Sequence, residues 1–117
     1  MVCVEEFFIG HMGSAKGLTM LGTVVRMALY ERGLPFFIIM PTQLKKYITG
    51  KGTGPKGIVI REVFKKWGVD AKDDNQADAC VLSHIAEALL VTSDTLLKYQ
   101  IEVIEKVKEE RSSYNVA

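Results

Sequence analysis

Two short apolar runs separated by one long helical stretch most constrain what this chain can fold into. Residues 2–9 (Val-Cys-Val-Glu-Glu-Phe-Phe-Ile) have the composition of a strand. Residues 36–40 form a second one, stopped by Pro41, which cannot donate to a sheet ladder. Between them, Gly10 to Gly13 form a turn, and the periodicity predicts a helix over residues 14–32, closed by Gly33. Strand, helix, strand in that order argues for a parallel pair joined by a right-handed crossover, which places the chain in the α/β class. At 117 residues it makes one domain at most, long enough to bury a core.

The first strand carries two acids, Glu5 and Glu6, where a strand covered on both faces normally reads as continuous Val, Ile and Leu. A second acidic feature, Asp73-Asp74-Asn75-Gln76-Ala77-Asp78-Ala79, opens a helix expected over residues 76–91. At 3.6 residues per turn Asp78 shares a face with Leu82, Ile85 and Leu89, so its carboxylate points toward residues that must be buried. A buried carboxylate needs a hydrogen-bond donor, an opposite charge or a metal. Helix capping is the competing account of the aspartates, with Asn75 as N-cap and Asp78 at the third helical position. Capping leaves Glu5 and Glu6 unexplained. The two features together suggest carboxylates converging on a cation.

Overall charge is near neutral, but residues 45–66 hold seven basic residues (Lys45, Lys46, Lys51, Lys56, Arg61, Lys65, Lys66) against Glu62 alone. That net +6 suits either a phosphate-bearing partner or a solvated lysine-rich face. Thr42 is expected to cap a short helix containing Gln43, Leu44, Lys45, Lys46 and Tyr47. The glycine-rich loop from Thr49 to Gly57 follows; it lacks the Gly-x-x-x-x-Gly-Lys-Ser/Thr spacing of a nucleotide-binding loop. A helix over Ile58–Trp67 should place Ile60, Val63, Phe64 and Trp67 on one side, with Trp67 in the core. A final amphipathic helix over residues 94–110 should bury Leu97, Ile101 and Ile104, with Glu102 and Lys106 paired at helical spacing. The organisation expected is a main unit over residues 1–91 and a C-terminal helix and tail over 92–117.

Cys3 and Cys80 have no zinc-like or disulfide-framework spacing and read as buried free thiols in a reducing compartment. With no signal peptide or spanning helix visible, a soluble cytoplasmic protein is expected.

Taken in order, the strand acid, the long helix, the short strand ending in Pro41-Thr42-Gln43-Leu44-Lys45-Lys46, the Gly/Lys loop with Lys56 and the Ala77-Asp78-Ala79 helix start resemble the RuvC family of Holliday junction resolvases, particularly phage- and prophage-type members. The resemblance covers about residues 2 to 91. It implies a partial RNase H-like fold with an extra C-terminal helix, and a homodimer that nicks opposing strands of a four-way DNA junction using magnesium or manganese. It implies Glu5 and Asp78 as metal ligands and catalytic residues, with Glu6 as the rival of Glu5. Asp74 becomes a further candidate ligand or base. Lys45 and Lys56 would contact the scissile phosphate region, Lys56 stabilising its charge, with Lys46 and Lys51 as neighbouring DNA contacts. Phe8 matches an aromatic associated with unstacked bases, or else is core. The helix over 14–32 corresponds to the family's dimer helix, which fits its second apolar stripe of Met20, Val24 and Met27 beside the first of Leu18, Leu21, Val25, Ala28 and Leu29.

Two departures accompany the resemblance. The family often has an aspartate or histidine three residues before the helix aspartate; here that residue is Asn75. The family also opens with a strand bearing the first catalytic aspartate and two further strands, for which this sequence shows no counterpart. The expectation is therefore a truncated or split protein, or one that pairs its exposed edges with another copy. Two-metal hydrolysis uses three or four carboxylates, so the chain alone is expected to be inactive. A catalytically inactive branched-DNA-binding module and a prophage remnant acting as an interaction protein remain the other readings.

Overall fold

The computed structural model describes residues 2–5, 14–55, 57–91 and 94–114, with residues 14–19 and 111–114 described as backbone only. Strand β1 (Val2–Glu5) pairs in parallel with β2 (Phe36–Ile39), in the register Val2↔Phe36 to Glu5↔Ile39. Helix α1 (Ser14–Glu31) makes the crossover, as expected from the element order. Glu5 therefore lies at the C-terminal end of the strand pair. The chain turns there into α2 (Pro41–Thr49), followed by α3 (Ile58–Trp67), α4 (Asp74–Leu90) and α5 (Lys98–Tyr114).

Local chemistry explains several boundaries. Pro41 stands in the first turn of α2, where its missing N–H costs nothing, and the Gln43 side chain accepts the Met40 N–H at 2.8 Å. Met40, rather than the expected Thr42, is thus the N-cap position. Gly50 and Gly68 end α2 and α3 in the left-handed region, at φ of 90° and 68°, each donating its N–H back into the last turn. At α4 the cap is Asp73, whose Oδ1 accepts the Gln76 N–H at 2.9 Å, so the expected Asn75 cap is corrected.

The core is built from Ile39, Leu44, Tyr47, Ile48, Val59, Val63, Ala77, Val81, Ile85 and Val107, among others. Helix α4 packs on β1, α5 on β2, and α2 contacts α3, α4 and α5. On α4 the innermost stripe is Ala77, Val81, Ile85 and Leu89; Ile85 and Leu89 are buried as expected, while Ala77 and Val81 take the inner places expected for Asp78 and Leu82, which lie at the half-buried margin. On α5 the buried face is Gln100, Val103, Ile104 and Val107; Leu97 precedes the helix and Ile101 is exposed. Gln100 satisfies its buried amide by accepting the Leu97 N–H and donating to the Tyr47 carbonyl. Glu102 forms its ion pair across to Lys46 on α2, at 3.0 Å.

Trp67 is half-buried against the core and stacks on the His84 ring at 3.6 Å between centroids, 8° from parallel, which ties α3 to α4. Phe64, expected inward with it, faces solvent instead: at 100° per residue Val59 and Val63 already claim the inner arc of α3. On α1 the Met20, Val24 and Met27 stripe is exposed, and of the other stripe Leu21 and Val25 are exposed while Ala28 and Leu29 are half-buried. Neither cysteine is fully buried; both are free, and burial pushes the Cys3 thiol up to about 11. No helix among the described residues is long and apolar enough to cross a membrane.

Candidate carboxylate cleft

A cleft of about 470 Å³ opens at the C-terminal ends of the two strands, where ligands of open α/β sheets commonly bind. Its walls come from four parts of the chain. Glu5 enters from the end of β1, Pro41 and Lys45 from the first turns of α2, Asp74 and Asp78 from the start of α4, and Gly54, Pro55, Gly57, Ile58 and Val59 from the loop before α3 and its first turn. Each chemical group is there for a local reason. The parallel register ends with Glu5 opposite Ile39, so β2 runs straight into the Pro41 helix start and carries Lys45 to the same rim. Asp73 takes the capping role on α4, which frees Asp74 and Asp78 to face the cleft.

Among the described residues, the electrostatics are those of crowded carboxylates beside Lys45. The Glu5 carboxyl is raised above its ordinary range, first by burial and then by the charge of Asp78, with Lys45 opposing. The Asp78 carboxyl is raised likewise by burial and by Asp74, again with Lys45 opposing. Repulsion of this kind disfavours the doubly charged state, and a divalent cation would relieve it. The donors are all carboxylate oxygens, which suit a hard ion such as magnesium or manganese over zinc. The shell is open: among the described residues no group of three or more His, Cys, Asp or Glu stands close enough to enclose a metal. Glu5 and Asp78, with Asp74 beside them, are the cleft carboxylates that could hold such an ion.

Of the residues singled out from sequence, Glu5, Asp74, Asp78 and Lys45 meet in this cleft. Lys46 is held by Glu102, and Lys51 sits on the exposed loop outside the lining residues. Glu6, Phe8 and Lys56 lie outside the described residues. The sequence reading missed the wall formed by Gly54, Pro55, Gly57, Ile58 and Val59. The clustered glycines were its signal. A Cβ on Gly54 would stand 3.1 Å from the Ile58 side chain, and Gly57 opens α3 at φ 83°.

No family model matches the chain. It is similar to crossover junction endodeoxyribonuclease RuvC of Rhodococcus jostii, 31% identical over 86 residues, covering 71% of this chain and 46% of the relative. Similarity to the RuvC of Paenarthrobacter aurescens is 33% over the same two shares, and to that of Gloeobacter violaceus 27%, over 71% of this chain and 49% of the relative. The chain spans about half the length of the curated relatives it matches. The Thermus thermophilus RuvC structure superposes with a TM-score of 0.51 and 25% identity, over 74% of this chain and 57% of that one. The chain has a RuvC-like α/β fold.

Proposed function

We propose that this chain is the metal- and DNA-facing part of a structure-selective endonuclease of the Holliday junction resolvase type. The observation that carries the reading is the meeting of Glu5, Asp74, Asp78 and Lys45 in one cleft at the strand ends. The likeness to junction endonucleases in sequence and fold supports it. A divalent cation, magnesium or manganese, would supply Lewis-acid polarisation of a phosphodiester and a water nucleophile at neutral pH. In that chemistry Glu5 and Asp78 hold the ion through their carboxylate oxygens. Asp74 accepts a proton or a water hydrogen bond at the rim. Lys45 balances the charge that builds on the phosphate, a task for which Lys56 is the second candidate. Glu6 remains the alternative to Glu5, and Phe8 a candidate contact to unstacked bases.

Glu5, Asp74 and Asp78 fall short of a two-metal set of enclosed carboxylates, so phosphodiester cleavage needs a further acid from outside the described residues or from a second copy. A second copy has a place to dock: the uncovered Met20, Val24 and Met27 stripe of α1, 65%, 62% and 57% exposed. The test is binding and cleavage of a four-way junction beside a linear duplex of equal arm length, with magnesium or manganese. Preference for the junction without cleavage by the chain alone is expected. Equal affinity for both DNAs rejects junction selectivity. Cleavage that disappears in Asp78→Asn shows that the requirement for a further acid is wrong while the nuclease reading stands.

A further inference from the structure

We infer that the outward face of α3, formed by Arg61, Phe64 and Lys65, is a second nucleic-acid contact that carries one strand away from the carboxylate cleft. The inference rests on the nuclease reading above and extends it to a helix face outside the cleft, where Arg61 and Lys65 of the basic 45–66 segment flank an exposed aromatic.

The geometry follows from the helix. Val59 and Val63 are buried and fix the inner side of α3. At 100° per residue Arg61 then stands opposite the core, with Phe64 and Lys65 on its two flanks, and all three are exposed. Ile58, on the same side as Lys65, lines the cleft. A path therefore runs from the cleft wall at Ile58 to Arg61, one turn on and about 4.5 Å along the axis, and then to Lys65, about 6 Å further. That spacing suits successive phosphates of a single strand. Glu62, the one acid of α3, is tucked against the protein and lies a loose 3.9 Å from Lys65, so no exposed carboxylate interrupts the path.

Phe64 separates this face from an ordinary solvated lysine surface. A phenylalanine 59% exposed on the flank of Arg61 forgoes much of its burial energy in the free protein. A polyanion that also presents flat apolar rings matches it: phosphates pair with Arg61 and Lys65, and a base or deoxyribose packs on the ring. The other cation of this turn is already committed, since Lys66 donates to the Tyr99 hydroxyl and lies 4.9 Å over its ring.

The experiment measures affinity of the full chain for a four-way junction across a salt series, with circular dichroism to establish that each variant is folded. Arg61→Ala with Lys65→Ala should weaken binding and lower the salt slope by about two units. Phe64→Ala should weaken binding by about fivefold or more with the slope unchanged, and Phe64→Trp should restore it. Lys45→Ala reports separately on the cleft. If Lys45→Ala lowers the slope and the Arg61/Lys65 double variant does not, the α3 inference is wrong and the cleft reading survives. If the wild-type chain binds no DNA, both fail. A Phe64→Ala effect on light-scattering mass alone, with affinity intact, overturns the inference and assigns this face to protein contacts.

Discussion

Asp78 pushes the Glu5 carboxyl above its ordinary range across the cleft that the two share, so Glu5 is harder to ionise beside it. The two come from a strand end and a helix start, elements that pack directly on one another. Burial is the larger cause for both, and Lys45 offsets only part of it.

That repulsion has a definite pH signature. Both folded-state values lie above the unfolded ones, so the native chain holds protons that the unfolded chain has released. Their contribution to stability is complete below the ordinary carboxylate range, near pH 4, and is lost as pH rises through the raised values. Asp78→Asn should therefore stabilise the chain at pH 7, by at most about 1 kcal/mol given partial solvent screening, and flatten the loss of stability between pH 4 and 7. Urea unfolding at several pH values reads this directly. Destabilisation at pH 7 would contradict it.

Divalent cations should reverse the penalty. Magnesium or manganese at about one hundred times its dissociation constant adds roughly 2.7 kcal/mol through binding to the native state alone. The expected rise in Tm should appear at pH 7.5, vanish near pH 4 where the carboxyls are protonated, and be absent in Glu5→Gln with Asp78→Asn. Calorimetry with and without EDTA makes the measurement. An equal rise in the double variant would place the ion elsewhere.

Lys45 and Lys46 are neighbours with different fates. Lys45 lines the cleft, and its replacement by Ala should lower the salt slope of junction binding by about one unit. Lys46 is paired with Glu102, an exposed contact worth at most about 1 kcal/mol, and Lys46→Ala should leave the slope within error of wild type. Filter binding at four salt concentrations separates them.

The stack of Trp67 on His84 gives an internal reporter, because Trp67 is the one tryptophan of the chain. His84→Ala should expose a ring face, shift the emission maximum to the red and cost about 1 kcal/mol of stability. An unchanged spectrum would mean that the stack is not held in solution.

Association should run through α1. Val24→Lys with Met27→Lys places charge in the uncovered stripe and should convert a self-associating chain into a monomer in light scattering at micromolar concentration. A wild-type chain already monomeric under those conditions would rule out this face as a self-contact.

Much of this was legible before any coordinates, for reasons of local physics. The parallel strand pair follows from two apolar runs and the helix between them, and five helices follow from periodicity, with Gly33 closing α1 and Pro41 ending β2. The acids Glu5 and Asp78 stood out because carboxylates are rare at core-facing positions. What neighbouring residues alone could not decide was phase and partnership. The buried stripe of α4 begins at Ala77 and that of α5 runs through Gln100, offsets set by what each helix packs against. Asp73 takes the cap ahead of Asn75 because its oxygen reaches the Gln76 N–H. Lys46 pairs with Glu102 in place of Lys106 because α2 lies against α5. The sequence alone determined which elements form and which side chains are chemically out of place in them. Only the tertiary structure decided which of those side chains meet, because a cleft made from β1, α2, α3 and α4 depends on contacts between residues far apart in the chain, and no local periodicity encodes them.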